Sequence, residues 1–204
     1  MITELISKLE NKEDLSYDEM SNVMSNILSG STNDQQNIDF LSNLADKGET
    51  DDELLGMLDK MQEFSLKITP KNKGTIIDVC GTGGDKIQTF NVSTTAAFVI
   101  VAAGGIVAKH GNRSSKGISG SADIFEYFGY DLNQEPEKIT TILEKFNICF
   151  MFAQKFHPAM KNVVTARKQI KKRTAFNLLG PLSNPAGVKN QLIGVFTHEY
   201  LDRL

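Results

Sequence analysis

Three segments combine glycines with side chains that could bind phosphates. The first is the run 81–85 (G-T-G-G-D), which follows a β-branched stretch and precedes Thr89 and the run 91–94 (N-V-S-T). Glycines let the backbone approach an anion closely, and the start of a helix adds partial positive charge. The run therefore predicts a phosphate cradle, although it lacks the spacing of a Walker A or dinucleotide motif. The structural alternative is a tight strand-to-helix turn capped by Asn91 or Ser93.

The second segment is a polar run, 109–123, with the sequence K-H-G-N-R-S-S-K-G-I-S-G-S-A-D. Lys109 and Arg113 could pair with phosphate oxygens, while the Asn112 amide and the Ser121 hydroxyl could orient a ligand. His110 has no evident carboxylate partner in the sequence, so a structural role is favoured for it. The alternative for the whole run is a solvated surface loop.

The third segment joins a basic stretch to the run 173–186, R-T-A-F-N-L-L-G-P-L-S-N-P-A. Arg167 and Arg173 would lie on different faces of a helix, so only some of the basic side chains can point inward. The basic stretch consists of Lys161, Arg167, Lys168, Lys171, Lys172 and Arg173. Most of these side chains are expected to be solvated.

Alternating strands and helices must position these segments. Short β-branched or apolar runs predict strands at 75–79, 106–108, 148–152 and 191–196, with helices at 93–103, 122–128, 139–146 and 160–170. The helix at 93–103 is apolar all round, which predicts burial. Alternation of this kind indicates a mostly parallel α/β sheet, whose ligands bind at the carboxyl ends of the strands.

The first part of the chain has a helical period instead. Apolar residues recur at helical spacing in 2–9, 20–28 and 54–61. Ser16 and Gly30 would cap the ends of the second helix, and Thr50 with Glu53 forms a capping box. These patterns predict a small helical domain at 1–66, a linker at 67–74 and an α/β domain at 75–204.

The composition is that of a globular protein, with an uneven charge distribution. Residues 1–66 carry fifteen acidic side chains and four lysines, whereas 67–204 carry eighteen basic and ten acidic side chains. The basic part favours an anionic ligand. With no apolar run of membrane-spanning length and no signal peptide pattern, we expect a cytoplasmic protein that does not bind membranes. Cys80 and Cys149 are expected to be buried free thiols.

Taken together, the motifs G-T-G-G-D…N-V-S-T, K-H-G-N-R…G-S-A-D and R-T-x-F-N-L-L-G-P-L-x-N-P-A resemble those of the anthranilate phosphoribosyltransferases of tryptophan biosynthesis, which share a nucleoside phosphorylase-like fold. The resemblance covers essentially the whole chain. It implies transfer of the phosphoribosyl group of phosphoribosyl pyrophosphate (PRPP) to the amine of anthranilate, with Mg²⁺ as cofactor. A homodimer through the N-terminal helices is also implied.

The resemblance also implies roles for individual residues. Ser93 would ligate one Mg²⁺, and anthranilate would contact Gly81, Asn112 and Arg167. PRPP would be bound by Gly81, Gly84, Asp85, Thr89, Asn91, Val92, Ser93, Thr94, Lys109, His110, Gly111, Asn112, Arg113, Ser114, Ser115, Lys116, Gly117 and Ser121.

The chemistry of such a reaction needs no strong general base. Loss of pyrophosphate builds positive charge on the sugar and negative charge on the leaving group, and the amine of anthranilate is neutral at pH 7. We therefore expect catalysis by proximity and electrostatics, without a catalytic side chain that takes a proton.

Two departures from the family pattern limit the resemblance. The run Ser114-Ser115-Lys116-Gly117 shifts the usual serine and basic positions, so its contacts are uncertain by a residue or two. Family chains are also much longer, with an Asp-Glu magnesium pair beyond position 204. We therefore expect a truncated chain that is weakly active or inactive alone.

Two other functions stay open at this point. A pyrimidine nucleoside phosphorylase-like enzyme would use phosphate as nucleophile, but the intact K-H-G-N-R loop with Arg167 disfavours it. A nucleic-acid-binding relative is disfavoured because the chain has no Trp and only Phe176 within the basic stretch.

Overall fold

The computed structural model describes residues 2–83, 90–114, 119–170, 172–195, 197–198, 201 and 204. The chain divides into two compact units, each built from two stretches of sequence. A helical unit contains Met1–Ser65 and His157–Ser183, and a sheet unit contains Leu66–Phe156 and Asn184–Leu204. The predicted fold class, helices followed by a parallel α/β sheet, is confirmed.

The described helices and strands follow one another in this order: α1 (Ile2–Glu10), α2 (Tyr17–Ser29), α3 (Asp34–Lys47), α4 (Asp51–Glu63), β1 (Ile76–Gly81), α5 (Val92–Ala102), β2 (Ile106–Gly111), α6 (Ser121–Tyr127), α7 (Pro136–Phe146), β3 (Ile148–Phe152), α8 (Ala153–Phe156), a 3-10 helix (Pro158–Val163), α9 (Val164–Gln169), α10 (Phe176–Leu182) and β4 (Asn190–Gly194). Among the described residues, no helix is long and apolar enough to cross a membrane.

Reciprocal capping boxes start three helices of the helical unit. Ser16 pairs with Glu19 at α2, Asn33 with Gln36 at α3, and Thr50 with Glu53 at α4. Each box satisfies backbone N–H groups that have no partner inside the helix. The predicted caps at Ser16 and Thr50 are confirmed, as is the end of α2 at Gly30, which has φ of 80°.

One apolar core joins the two stretches of the helical unit. Met24, Phe40 and Met57 are fully buried in it, and Val163 and Phe176 from the later stretch belong to the same cluster. The predicted division of the chain assigns 157–183 to the α/β domain. The packing differs there, because apolar side chains of this stretch complete the helical core.

The sheet unit has strand order β3-β2-β1-β4, and each neighbouring pair is parallel. One cluster on the sheet contains Ile106, Ala108 and Cys149 with Leu143 of α7. A separate cluster contains Val79 and Val107 with Ala97 of α5. Successive residues of β2 therefore belong to different clusters, so helices cover both faces of the sheet, as expected when the strands are parallel.

Two sequence predictions need correction, and one is confirmed. Burial of the helix near 93–103 is wrong for one side of α5, where Phe98 and Val99 are 41% and 63% exposed; α5 packs on the strands through its other side. The single helix predicted at 160–170 is a 3-10 helix followed by the short α9. Cys80 and Cys149 are buried free thiols, as predicted.

Candidate functional site

The first two glycine-containing segments begin at the same edge of the sheet, where β1 and β2 end. Gly81 is in register with Gly194 of β4, and Gly111 with Phe152 of β3. After β1, the N–H of Thr82 donates to the Gly194 carbonyl at 3.0 Å, so the turn starts as an extension of the sheet. Parallel α/β sheets bind their ligands at this edge.

The first turn of α5 lies at the end of the glycine-rich segment. Asn91 occupies the N-cap position but makes no side-chain capping bond. Its Nδ2 instead donates to Ser119 Oγ at 2.8 Å, which joins the first segment to the second. The alternative of a turn capped by the Asn91 side chain is therefore wrong, and the helix start keeps its partial positive charge for another acceptor.

Thr82 adds a feature that sequence reasoning missed. Its side chain is 8% exposed, and its Oγ1 has no hydrogen-bond partner in the part of the chain that the structure describes. A buried hydroxyl without a partner costs free energy, which a ligand oxygen could offset. No spacing rule selects Thr82, because burial of its hydroxyl arises only in the folded sheet.

Asn112 organises the loop that follows β2. Its carbonyl accepts hydrogen bonds from Ala122 N at 3.2 Å and Ser121 Oγ at 3.3 Å, and its Oδ1 accepts from Arg113 N at 2.8 Å. Gln154 Nε2 also donates to Oδ1, at 3.3 Å. These bonds fold the K-H-G-N-R segment back onto the start of α6.

Arg113 is engaged by two carboxylates of α6. Its Nη1 lies 2.8 Å from Asp123 Oδ1, and its two terminal nitrogens reach Glu126 at 2.7 and 2.8 Å. The hydrogen bond from Arg113 holds the pKa of Glu126 below its usual range. For Asp123 the bond from Gly120 N is the larger cause of a lowered pKa, followed by that from Arg113. A phosphate would have to compete with both carboxylates for this guanidinium.

Lys109 and His110 lie inside the sheet unit, with only 2% and 7% of their surface exposed. Lys109 Nζ donates to the Val79 carbonyl at 2.5 Å. Burial lowers the pKa of Lys109, and the charge of Asp78 opposes this shift. The ammonium group is thus hydrogen-bonded to the backbone of β1. The pairing of Lys109 with a phosphate stays a prediction, and it would require the ammonium group to bind the phosphate as well as, or instead of, the Val79 carbonyl.

The remaining predicted PRPP residues differ in how they are placed. Val92 is exposed, Ser93 is half-buried and Thr94 is buried in the first turn of α5, while Ser114 follows Arg113 in the loop. Some predicted residues lie outside the described part of the chain; these are Gly84, Asp85, Thr89, Ser115, Lys116 and Gly117.

Arg167, the predicted anthranilate residue, belongs to the helical unit. It lies near the end of α9, with Cζ 5.2 Å from the centroid of the Phe176 ring. Surrounding protein atoms lower the pKa of Arg167 by desolvation, although the side chain keeps access to solvent. Its grouping with Gly81 and Asn112 remains a prediction.

The described residues fit Mg²⁺ only together with a phosphorylated ligand. Among them, no group of three His, Cys, Asp or Glu side chains could hold a metal ion. Ser93 supplies one hard oxygen at the start of α5. Mg²⁺ often takes one or two protein ligands and completes its shell with waters and substrate phosphates, so this donor set is compatible with it.

Two family models match the chain. Residues 73–204 match the a/b domain of the glycosyl transferase family, and residues 3–65 match its helical bundle domain. The chain belongs to this glycosyl transferase family. The two matches together cover nearly the whole chain, as the resemblance drawn from the three motifs does.

The sequence of this chain is closely similar to those of individual anthranilate phosphoribosyltransferases. The chain is 80% identical over its whole length to anthranilate phosphoribosyltransferase of Nitrosopumilus maritimus, and 53% identical over 97% of its length to that of Cenarchaeum symbiosum. It spans 59% and 57% of those proteins.

Solved structures of the same family share the fold. Anthranilate phosphoribosyltransferase from Thermus thermophilus superimposes with a TM-score of 0.90 at 38% identity, over 97% of this chain and 60% of that one. The Saccharomyces cerevisiae enzyme in complex with PRPP and Mg gives 0.84 at 28% identity, over 97% of this chain and 59% of that one.

Proposed function

We propose that the protein containing this chain is an anthranilate phosphoribosyltransferase. The amine nitrogen of anthranilate would attack the ribosyl carbon of PRPP, the bond from that carbon to pyrophosphate would break, and the amine would lose a proton to solvent. The products are N-(5-phosphoribosyl)anthranilate and pyrophosphate. As part of the same proposal, the protein acts in the cytoplasm, as a homodimer through its N-terminal helices.

The hydrogen bond between Asn91 and Ser119 carries the proposal. It joins the start of α5, which follows the glycine-rich run, to Ser119 of the polar segment that follows β2. Both segments begin at the carboxyl edge of a parallel sheet, where such sheets bind ligands. Because the side chain of Asn91 makes no capping bond at α5, the backbone N–H groups of the first turn could donate hydrogen bonds to phosphate oxygens. The identity of 80% with a protein of this activity supports the same substrates.

The residue roles are divided between the two substrates. The turn from Gly81 and the start of α5 would bind the phosphates of PRPP. Asn112 and Arg167 would hold anthranilate, with the guanidinium of Arg167 paired to the carboxylate of anthranilate. Ser93 would hold Mg²⁺, which when bound neutralises charge on the departing pyrophosphate. None of the described residues is assigned proton transfer, since the bound geometry itself supplies the acceleration.

The test is the loss of anthranilate fluorescence on addition of PRPP with Mg²⁺. It is run on residues 1–204 and on the natural full-length protein that carries them, with the Nitrosopumilus maritimus enzyme as positive control. We expect turnover by the full-length protein, and weak or no turnover by residues 1–204 if ligands outside them are needed. Asn112→Ala should reduce turnover wherever it is seen.

Other outcomes would redirect the assignment. If the full-length protein leaves anthranilate unchanged while the control consumes it, the proposed reaction is rejected. Release of a base from a pyrimidine nucleoside with inorganic phosphate would then favour the phosphorylase. Salt-dependent binding of single-stranded DNA without PRPP binding would favour the nucleic-acid-binding alternative.

A further inference from the structure

One buried carboxyl group contacts the second and third sequence motifs and lies three residues before the first. Asp78 is in the middle of β1 and is 0% exposed. Its Oδ1 accepts a hydrogen bond from the backbone N of His110 at 3.3 Å. Its Oδ2 accepts from Asn184 Nδ2 at 2.8 Å and from Gln191 Nε2 at 3.4 Å. Asp78 thus links β1 to β2, to β4 and to the N-P-A turn.

Asn184 extends this network into the turn that precedes β4. Its Nδ2 also donates to the Ala108 carbonyl at 2.9 Å, and its Oδ1 accepts from Ala186 N at 2.9 Å. The amide is 4% exposed, so each of these bonds lies in a low-dielectric interior where it is directional and strong. The turn is therefore held in one position relative to β1 and β2.

Stability alone does not account for a carboxyl group at this position. A buried acid loses its hydration, and apolar side chains of similar volume often serve the fold at least as well. Burial raises the pKa of Asp78 in spite of its hydrogen bonds, which shows that the environment disfavours the charge. What an apolar residue could not do is bind the His110 N–H and the Asn184 amide at the same time.

We propose that Asp78 is a positioning residue for the transferase reaction. Its carboxyl group fixes the K-H-G-N-R loop and the N-P-A turn relative to the glycine-rich turn, and it touches neither substrate. The inference rests on the proposed function, since a loss of turnover can be measured only if the protein turns over. Misplacement of substrate-binding groups by about 1 Å can reduce rates by about a hundredfold.

The experiment compares Asp78→Asn with a matched control in the natural full-length protein. The control is Glu53→Gln, because Glu53 is also 0% exposed and its carboxylate also accepts backbone N–H bonds, from Leu15 at 2.9 Å and Thr50 at 2.8 Å. Glu53 lies in α4 of the helical unit. Both variants are measured for unfolding midpoint, for kcat and KM of both substrates, and for hydrogen exchange of the amides of 110–114.

We expect Asp78→Asn to lower kcat at least tenfold and to speed hydrogen exchange of the 110–114 amides at least tenfold. Glu53→Gln should change kcat less than twofold at a similar change in unfolding midpoint. A folded Asp78→Asn protein with kcat within twofold of wild type and unchanged exchange would overturn the proposal. Equal losses of kcat in both variants at equal midpoints would also overturn it.

Two further arms keep the result decisive. If Asp78→Asn does not fold, Asn184→Ala replaces it and is judged on kcat alone, since this change frees the N-P-A turn but keeps the bonds from His110 and Gln191 to Asp78; kcat within twofold of wild type would overturn the proposal. If the wild-type protein does not convert anthranilate, the proposed function has failed by itself. Hydrogen exchange at 110–114 then decides whether Asp78 positions the loop.

Discussion

The guanidinium of Arg167 lies over the face of the Phe176 ring, with 5.2 Å between Cζ and the ring centroid. Phe176 is 4% exposed and belongs to the core of the helical unit, so the ring is a fixed platform for the more accessible arginine. A cation above an aromatic face gains roughly 0.5–2 kcal/mol, depending on its desolvation. The platform therefore restricts where the charge of Arg167 can be.

Replacing this platform should weaken anthranilate binding selectively. We expect Phe176→Leu to raise KM for anthranilate about three- to tenfold, while KM for PRPP stays within twofold, because Arg167 loses its orientation. The matched control is Phe146→Leu, which removes another ring beneath a cation, with Lys145 Nζ 5.2 Å from its centroid. Steady-state kinetics decide, and equal rises in both KM values would contradict a specific role.

The buried hydroxyl of Thr82 predicts opposite effects on stability and binding. Thr82→Val keeps the shape and removes an oxygen without a partner, so the free energy of unfolding without ligand should rise by about 1 kcal/mol. The dissociation constant for PRPP with Mg²⁺, measured by calorimetry, should rise about fivefold. Ser21→Ala, at a buried serine of the helical unit, should leave that constant unchanged. Unchanged PRPP affinity in Thr82→Val would show that the hydroxyl serves no ligand.

The close approach of Gly120 to the K-H-G-N-R loop predicts a steric effect. A Cβ on Gly120 would lie 2.6 Å from the Asn112 carbonyl oxygen and 2.6 Å from the Arg113 carbonyl carbon, both backbone atoms. Gly120→Ala should therefore cost about 1–3 kcal/mol in urea denaturation and weaken PRPP binding. Gly180→Ala is the counterpart, because no atom lies within 4 Å and α10 continues there. It should stabilise by about 0.5–1 kcal/mol.

The raised pKa of Asp78 predicts how stability changes with pH. The folded protein binds this proton more tightly than the unfolded chain does, whose Asp pKa is about 4. Above that pH, ionisation of Asp78 destabilises the fold until the pH passes the native pKa. The unfolding free energy of Asp78→Asn minus that of wild type should therefore rise from about pH 4 upward and then level off.

Urea denaturation at several pH values from about 4 to 8 checks this slope. Among the described residues, the ionisable groups that interact with Asp78 include Lys109, Cys80 and Cys149, and His110 donates its backbone N–H to the carboxyl group. Burial raises the pKa of Cys80 to about 12. Lys109→Met in both backgrounds isolates the contribution of the lysine. A difference that stays constant with pH would mean that Asp78 titrates alike in the folded and unfolded states.

The exposed ion pairs of Arg113 make a last prediction about PRPP. Glu126→Gln removes one competitor for the guanidinium and one negative charge near the loop. Because the proposed function assigns Arg113 to PRPP, we expect two- to fivefold tighter PRPP binding at low salt, with a smaller gain at high salt. A lowered unfolding midpoint without change in affinity would instead make Arg113 a structural link to α6.

Local sequence patterns predict those structural features that depend on residues close together in the chain. The strand and helix sequence of the sheet unit, and the caps at Ser16 and Thr50, follow from periods and cap chemistry. The helix α3 is not among the predicted helices, although Ile38, Leu41 and Leu44 recur in it at helical spacing.

Side-chain partners from distant parts of the chain could not be predicted. Lys109 looks like a phosphate ligand in sequence, but its ammonium meets a carbonyl thirty residues earlier. Arg113 likewise meets Glu126 one turn into the next helix. Such pairings depend on strand register and helix placement, which the period of the sequence does not specify.

The interleaving of the two units has a consequence for synthesis on the ribosome. Single-stretch domains can fold in order as they leave the exit tunnel. Here the helical core needs Val163 and Phe176, which are translated after β1, β2 and β3, and β4 is translated later still. The N-terminal helices must therefore wait with part of their apolar surface uncovered while most of the described sheet is made. Folding of the two units is thus expected to finish nearly together, once the segments 157–183 and 190–194 have left the exit tunnel.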